Sequence, residues 1–273
     1  MENALFADPA LDWDGRCASI AAAGFDGVYA VPYPLTGDEM PRLGVLGEAP
    51  ARHGLRLAGV YANIDLSLPP DAPWNARVRR LCGIPTGAPR VELSFKCSDP
   101  AALPPALDDA IAARLEPLLV LADRHEFDIT LFHHSFYPLE TAAHAARIVR
   151  RLGHPRLGFN FSAAHSYAVC SAMETAARLR ACAGQIASFN VCGCRRSAPR
   201  PPAKCVYFPP DEGDLDVRLL FAVLREADYR GDVIVQGHGW RGDLPAMLRR
   251  SAAACRMFGK TPPCPRRDVA TAG

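Results

Sequence analysis

Imidazole is the side chain that titrates near neutral pH and ligates metals most readily, and this chain carries eight histidines. Four of them stand at or just beyond the ends of short apolar runs. His133 and His134 close DITLFHH (Asp128–His134), His165 follows RLGFNF (Arg156–Phe161), and His238 follows GDVIVQG (Gly231–Gly237). Imidazoles gathered on one rim could shuttle a proton or bind a metal; the alternative is ordinary rim packing and hydrogen bonding. Glu92 and Lys96 are four apart in a fifth run, RVELSF and the lysine after it, so as strand residues they point to one side. A carboxylate there acts as a base of raised pKa, with the lysine as electrophile, or the two form a structural ion pair. Ser162, Asn190 and Gln236 occupy similar tips. Trp240 and Arg241 follow the last run and offer stacking and anion or sugar binding.

These residues meet only if the runs are parallel strands with their C-terminal ends together. The chain alternates short β-branched or apolar runs with helical patterns, as βαβ units do. GVYAV (Gly27–Val31), RLAGVYANI (Arg56–Ile64), RVELSF (Arg90–Phe95), DITLFHH, RLGFNF, IASFNVCG (Ile186–Gly193) and GDVIVQG read as seven strands. Eight helical stretches are predicted: residues 12–23, 41–53, 74–82, 107–119, 145–152, 171–183, 215–223 and 244–258. An eighth strand would be the weak ALF (Ala4–Phe6). The reading is one domain over residues 1–260, an α/β chain folded as a (β/α)8 TIM barrel, with a flexible tail over 261–273. An open doubly wound sheet is the alternative, and no G-x-G-x-x-G supports it. The Pro- and Arg-rich stretch Cys194–Gly213 is long for a connection. It reads as a mobile lid on the rim or as a solvated insertion.

Composition narrows the partners. The 273 residues are 49% hydrophobic and 22% charged with a net charge of +2. That excludes neither a packed core nor a small-molecule ligand, but gives no reason to expect nucleic acid or a membrane surface. The ten cysteines contain no C-x2-C pair and read as reduced, mostly buried thiols. The acidic start and the lack of a long apolar run predict a cytoplasmic protein. Homo-oligomerisation is left open.

Three phrases resemble the xylose-isomerase-like (sugar phosphate isomerase/epimerase) TIM barrels: AAAGFDGVYA (Ala21–Ala30), LGHPRLGFNFSAAHSYA (Leu152–Ala168) and the Asp211–Gly239 segment. The resemblance implies a barrel whose four ligands (Glu, Asp, His, Glu) hold a divalent cation, with the glutamates moving a proton between sugar carbons. Carried over residue by residue, the first glutamate falls at Phe132, two before His134. The aspartate falls at Ser162, the histidine is kept as His165, and the last glutamate is Gln236. A frequent seventh-strand His is Asn190, and an often-present second-strand Glu is Tyr29. The chain therefore resembles a divergent branch lacking the usual metal carboxylates. The expected enzyme is a sugar or polyol isomerase or epimerase with His134 and His165 as the acid/base pair. Ser162, Asn190 and Gln236 would then hold hydroxyls, and Lys96 an enediolate oxygen. If a metal binds, the expected ligands are His134, His165, His238 and Glu92, a set suited to Zn, Fe or Mn; a metal-free site is the other expectation. The competing reading is a non-catalytic carbohydrate-binding pseudoenzyme. A nuclease, which needs a three-metal cluster, is disfavoured by the same rim.

Overall fold

The computed structural model describes Leu5 and residues 10–31, 45–84 and 87–260. Seven parallel strands form one sheet: β1 (Gly27–Ala30), β2 (Arg56–Asp65), β3 (Arg90–Lys96), β4 (Asp128–Leu131), β5 (Leu157–Ser162), β6 (Ser188–Val191) and β9 (Asp232–Val235), neighbours in that order. Between β6 and β9 an antiparallel hairpin is inserted, β7 (Gly193–Arg196) and β8 (Cys205–Phe208). Nine described helices alternate with the strands: α1 (Trp13–Ala22), α2 (Glu48–Arg52), α3 (Pro73–Cys82), α4 (Leu107–His125), α5 (Ala142–Leu152), α6 (Ala163–Val169), α7 (Ala172–Cys182), α8 (Val217–Glu226) and α9 (Leu244–Lys260). The chain is a single (β/α) TIM barrel. Ala4 and Phe6 of the weakest predicted strand, and residues 261–273, lie outside the described residues. Leu5 is described and is buried.

Local chemistry sets the helix starts. Asp12, Thr141 and Asp216 cap α1, α5 and α8 with side-chain oxygens, and Ser171 and Glu174 form a reciprocal capping box on α7. The one helix not expected is α6. It begins directly at Ser162, and six of its seven residues are buried, so it has no amphipathic stripe to read. The Cys194–Gly213 segment is not a featureless insertion. It is the hairpin, and its base is clamped: a Cβ on Gly193 would lie 1.9 Å from the Glu212 carbonyl oxygen.

Parallel pairing carries a level across the sheet. Tyr61 pairs with Glu92, Glu92 with Thr130, Asn160 with Ser188, Ser162 with Asn190, and Asn190 with Ile234. Paired residues face the same side, so these side chains face the lumen and the even-numbered residues of β3 and β5 share it. The apolar residues between them face the helices and form the main core, with Val91, Leu93, Phe95, Phe159, Phe161 and Phe189 buried there.

Among the described residues β1 and β9 share no hydrogen bonds, and a cavity of about 350 Å³ lies along their facing edges, lined by Gly27–Tyr29 and Gly231–Val235. At its foot Asp232 of β9 accepts from Arg56 of β2 at 2.6 Å and from Arg90 of β3 at 3.2 Å. Two guanidiniums thus reach past β1 to hold the last strand.

Gly59 has a steric reason. It pairs with the buried Tyr29, and a Cβ there would lie 2.4 Å from the Tyr29 Cζ. We expect Gly59→Ala to cost about 1–3 kcal/mol through this overpacking, measured as a lowered urea midpoint at unchanged slope.

Candidate active site at the barrel mouth

The C-terminal strand ends bring His134 and His165 together. Their ring centroids are 3.7 Å apart at 36°, and Tyr137 stacks on the other face of His134 at 3.9 Å. Ser135 links the pair. Its carbonyl accepts from His134 Nδ1 at 2.8 Å, and its Oγ bonds His165 Nδ1 at 3.0 Å. Phe132 stands edge-on to His165 at 5.5 Å, and Tyr61 stands edge-on to Phe132 at 5.5 Å. His165 is therefore packed among rings, with its Nε2 buried and without a partner among the described residues.

The same strand tips carry more buried polar atoms without partners among the described residues: Ser162 Oγ, both Asn190 side-chain atoms and Gln236 Oε1. Ser162 and Asn190 are at one level of β5 and β6. Gln236 lies two beyond Ile234, the Asn190 partner, so it faces the same side one level higher, and its N–H bonds the Val191 carbonyl at 2.9 Å. Buried polar atoms in proteins nearly always have partners. A cluster that lacks them at an opening is matched by a ligand offering hydroxyls or carbonyls, or by water.

The charges are held off this surface. Burial pushes the pKa of His134 down to about 4, and burial with neighbouring imidazoles carries His165 well below the usual value. Both rings are neutral at pH 7. His133 is fully buried and structural: Nδ1–H donates to the Glu140 carbonyl at 3.1 Å, and Nε2 accepts the Ser162 N–H at 3.0 Å, fixing the tips of β4 and β5. Burial lowers its pKa to about 4 as well.

Several expected residues lie elsewhere. Glu92 and Lys96 share a strand face but not a partner. Lys96 sits at the rim with its Nζ 3.7 Å from the centre of the Trp74 ring and 3.7 Å from Asp65 Oδ2. Glu92 is deep in the lumen, where Ser188 Oγ donates to its Oε1 at 3.2 Å and Asn160 Nδ2 donates to that serine at 2.9 Å. Burial, only partly opposed by Arg90, raises the Glu92 pKa to about 8. His238 and Arg241 are exposed, and Trp240 is buried in the core, so the latter two do not form an open stacking platform.

The expected metal set is not assembled. Among the described residues no three His, Cys, Asp or Glu side chains are placed to share a cation. The donors facing the mouth are a hydroxyl, two amides and a neutral imidazole pair, with Phe132 where a carboxylate would be needed. That donor set does not fit a hard divalent ion.

The model of one family, described as xylose isomerase-like TIM barrel, matches residues 17–256. The chain belongs to that family. Solved structures agree at the level of fold. A 3-keto-D-glucoside 4-epimerase from E. coli is 17% identical at a TM-score of 0.70, with 90% of this chain and 94% of that one covered. A D-allulose 3-epimerase from Methylomonas sp. in complex with D-allulose is 15% identical at 0.65, covering 90% and 91%. A xylose isomerase-like TIM barrel protein from Mycobacterium smegmatis in complex with magnesium is 15% identical at 0.66, covering 90% and 88%. No curated protein is significantly similar to the chain in sequence. Within this xylose isomerase-like barrel, α6 and the strands of the hairpin were not read from the sequence, which placed the Cys194–Gly213 segment on the rim without structure of its own. The hairpin's Tyr207 stands edge-on to His165 at 6.3 Å, and Cys205 Sγ donates to the Ala164 carbonyl at 3.8 Å. Tyr207 lies in a segment whose prolines obscure its short strands.

Two pH dependences follow from these burials. Glu92 binds its proton in the folded state up to about pH 8 but loses it near 4.5 when unfolded. Stability therefore falls as pH rises between those values, by up to about 1.4 kcal/mol per unit. The histidines have the opposite sign: their folded pKa values lie below the ordinary 6.5, so stability is lost as pH falls from 6.5 toward 4. Denaturant titrations from pH 6.5 to 8 isolate the carboxyl, and there Glu92→Gln is expected to flatten the slope. Between pH 6.5 and 4, His133→Gln is expected to reduce the acid loss by about one proton's worth, seen as a shallower fall of the unfolding midpoint.

Proposed function

We propose that this chain is a cytoplasmic sugar isomerase/epimerase-like enzyme that moves a proton on a sugar or polyol without carboxylate bases. The observation that carries the reading is the buried, unpartnered Nε2 of His165 beside the unpartnered groups of Ser162, Asn190 and Gln236. When Nδ1–H donates to Ser135 Oγ, Nε2 holds the lone pair. It then accepts the proton from the carbon beside a ketose carbonyl. The Asn190 N–H and the Ser162 O–H donate to the oxygen on which charge develops, as fixed neutral dipoles do in a dry site. Gln236 Oε1 accepts from a substrate hydroxyl. His134, stacked on His165, excludes water and presents its own Nε2 to the other side of the proton transfer. Lys96 and Glu92 drop out of direct contact; Glu92 serves as a protonated strut of the lumen. The proteins of similar fold named for epimerisation of D-allulose and of a 3-keto-D-glucoside support the substrate class.

One observation favours a binding protein instead. An imidazole whose pKa is depressed by burial is a weak base. The same neutral hydrogen-bonding set then holds a sugar without turning it over.

The test uses D-fructose and D-allulose in D2O with a chelator present, read by NMR for deuterium entering carbon and by calorimetry for binding. We expect slow deuterium incorporation that falls at least about a hundredfold in His165→Ala, a loss typical of removing a general base, with the fold retained by circular dichroism. Binding of either sugar with no incorporation selects the binding protein. Incorporation unchanged in His165→Ala removes the histidine mechanism.

A further inference from the structure

A cavity of about 410 Å³ lies on the outer side of the barrel wall, between α5 and α7. Small side chains leave the space. Ala142 and Ala146, one turn apart on α5, face Ala181 of α7 across it. The lining reaches the buried ring of His133, whose Nε2 accepts the Ser162 N–H, so the cavity backs onto the wall that carries the mouth.

The charges on this lining are unbalanced. Arg150 continues the α5 row one turn beyond Ala146, and Arg178 enters from α7. Neither guanidinium makes a salt bridge or a hydrogen bond among the described residues. Their neighbours on the same helices behave differently: Arg147 pairs with Asp108, Arg151 with Asp109 and Arg180 with Glu226. The two arginines that line the cavity are thus left without an acid, while three beside them have one. The carboxylate on the lining, Glu140, already accepts the Phe136 N–H at 3.0 Å, and Glu174 of α7 is held in the capping box with Ser171. A buried hydroxyl completes the set. Ser166 is 3% exposed, and its Oγ has only the Cys170 sulfur, at 3.7 Å, as partner.

Two unpaired guanidiniums on one partly enclosed space attract an anion, and low-dielectric walls strengthen that field. Their planar forks match the oxygens of a phosphate group, which two arginines can grip from two sides. We propose that this cavity is an anion site separate from the mouth, taking phosphate either free or as the monoester of a small molecule. Arg150 and Arg178 hold the phosphate, and Ser166 and Gln185 are the lining groups left for hydroxyls of an organic body. The site stands whether or not the mouth turns a sugar over.

Calorimetry of the full chain with inorganic phosphate and with glycerol 3-phosphate, at constant ionic strength set by chloride, tests this. We expect one saturable site with a Kd below about 1 mM, weakened at least about tenfold in Arg150→Gln and in Arg178→Gln and unchanged in Lys96→Gln at the rim. Tighter binding of the ester assigns a phosphorylated small molecule, and equal binding assigns free phosphate. The wild-type protein supplies a second readout. Phosphate is expected to shield Arg150 and Arg178 from phenylglyoxal, mapped by peptide mass spectrometry, while Arg218 stays reactive. No saturable binding of either probe, binding lost in Lys96→Gln but kept in both arginine variants, or equal labelling of Arg150 and Arg178 with and without phosphate overturns the proposal.

Discussion

A parallel strand delivers every second side chain to the barrel lumen, and here the tips of three neighbouring strands deliver neutral polar groups to it. Ser162, Asn190 and Gln236 follow from one register that runs through β5, β6 and β9. Among the described residues no charge stands between them to attract a cation, and no partner satisfies them. The imidazoles beside them are kept neutral by the rings that pack around them. Phe132 is decisive in this. Its apolar edge stands against His165 and desolvates the imidazole instead of pairing with it.

One level deeper the lumen solves a different problem. Glu92 is sealed below the mouth with a hydroxyl as its donor, and its second oxygen has no partner among the described residues. An ionised carboxylate there would be costly, and the upward pKa shift is the response. At the foot, where solvent and Arg56 and Arg90 are available, Asp232 is instead paired. Three levels in one lumen therefore carry three states: ion-paired at the foot, protonated in the middle, and neutral by residue type at the mouth.

Much of this was legible in the sequence. Seven strands and eight helical stretches follow from periodicity, because each element had one apolar face to bury. The convergence of His134 and His165 was legible too, since both end strands that must be parallel. What failed was depth. Period two tells that Glu92 and Lys96 share a face, but not that this spacing puts one deep in the lumen and the other at the rim. Lys96 therefore reached Trp74 and Asp65 rather than the glutamate. Trp240 was misread for a related reason: sequence shows an aromatic near the rim without showing that packing has buried it. The hairpin escaped because strands of four residues with a Pro-rich turn have no pattern long enough to read, and α6 because burial on every side erases periodicity.

The clasp at the foot works as a drawstring. Asp232 of β9 takes Arg56 of β2 and Arg90 of β3 together, joining residues 176 and 142 positions apart in the chain. The tie is set by charge, at the end of the barrel opposite the mouth. Cohesion and recognition are thereby divorced along the barrel axis: the electrostatics that cinch early strands to the last one stay remote from the neutral groups that would meet a ligand.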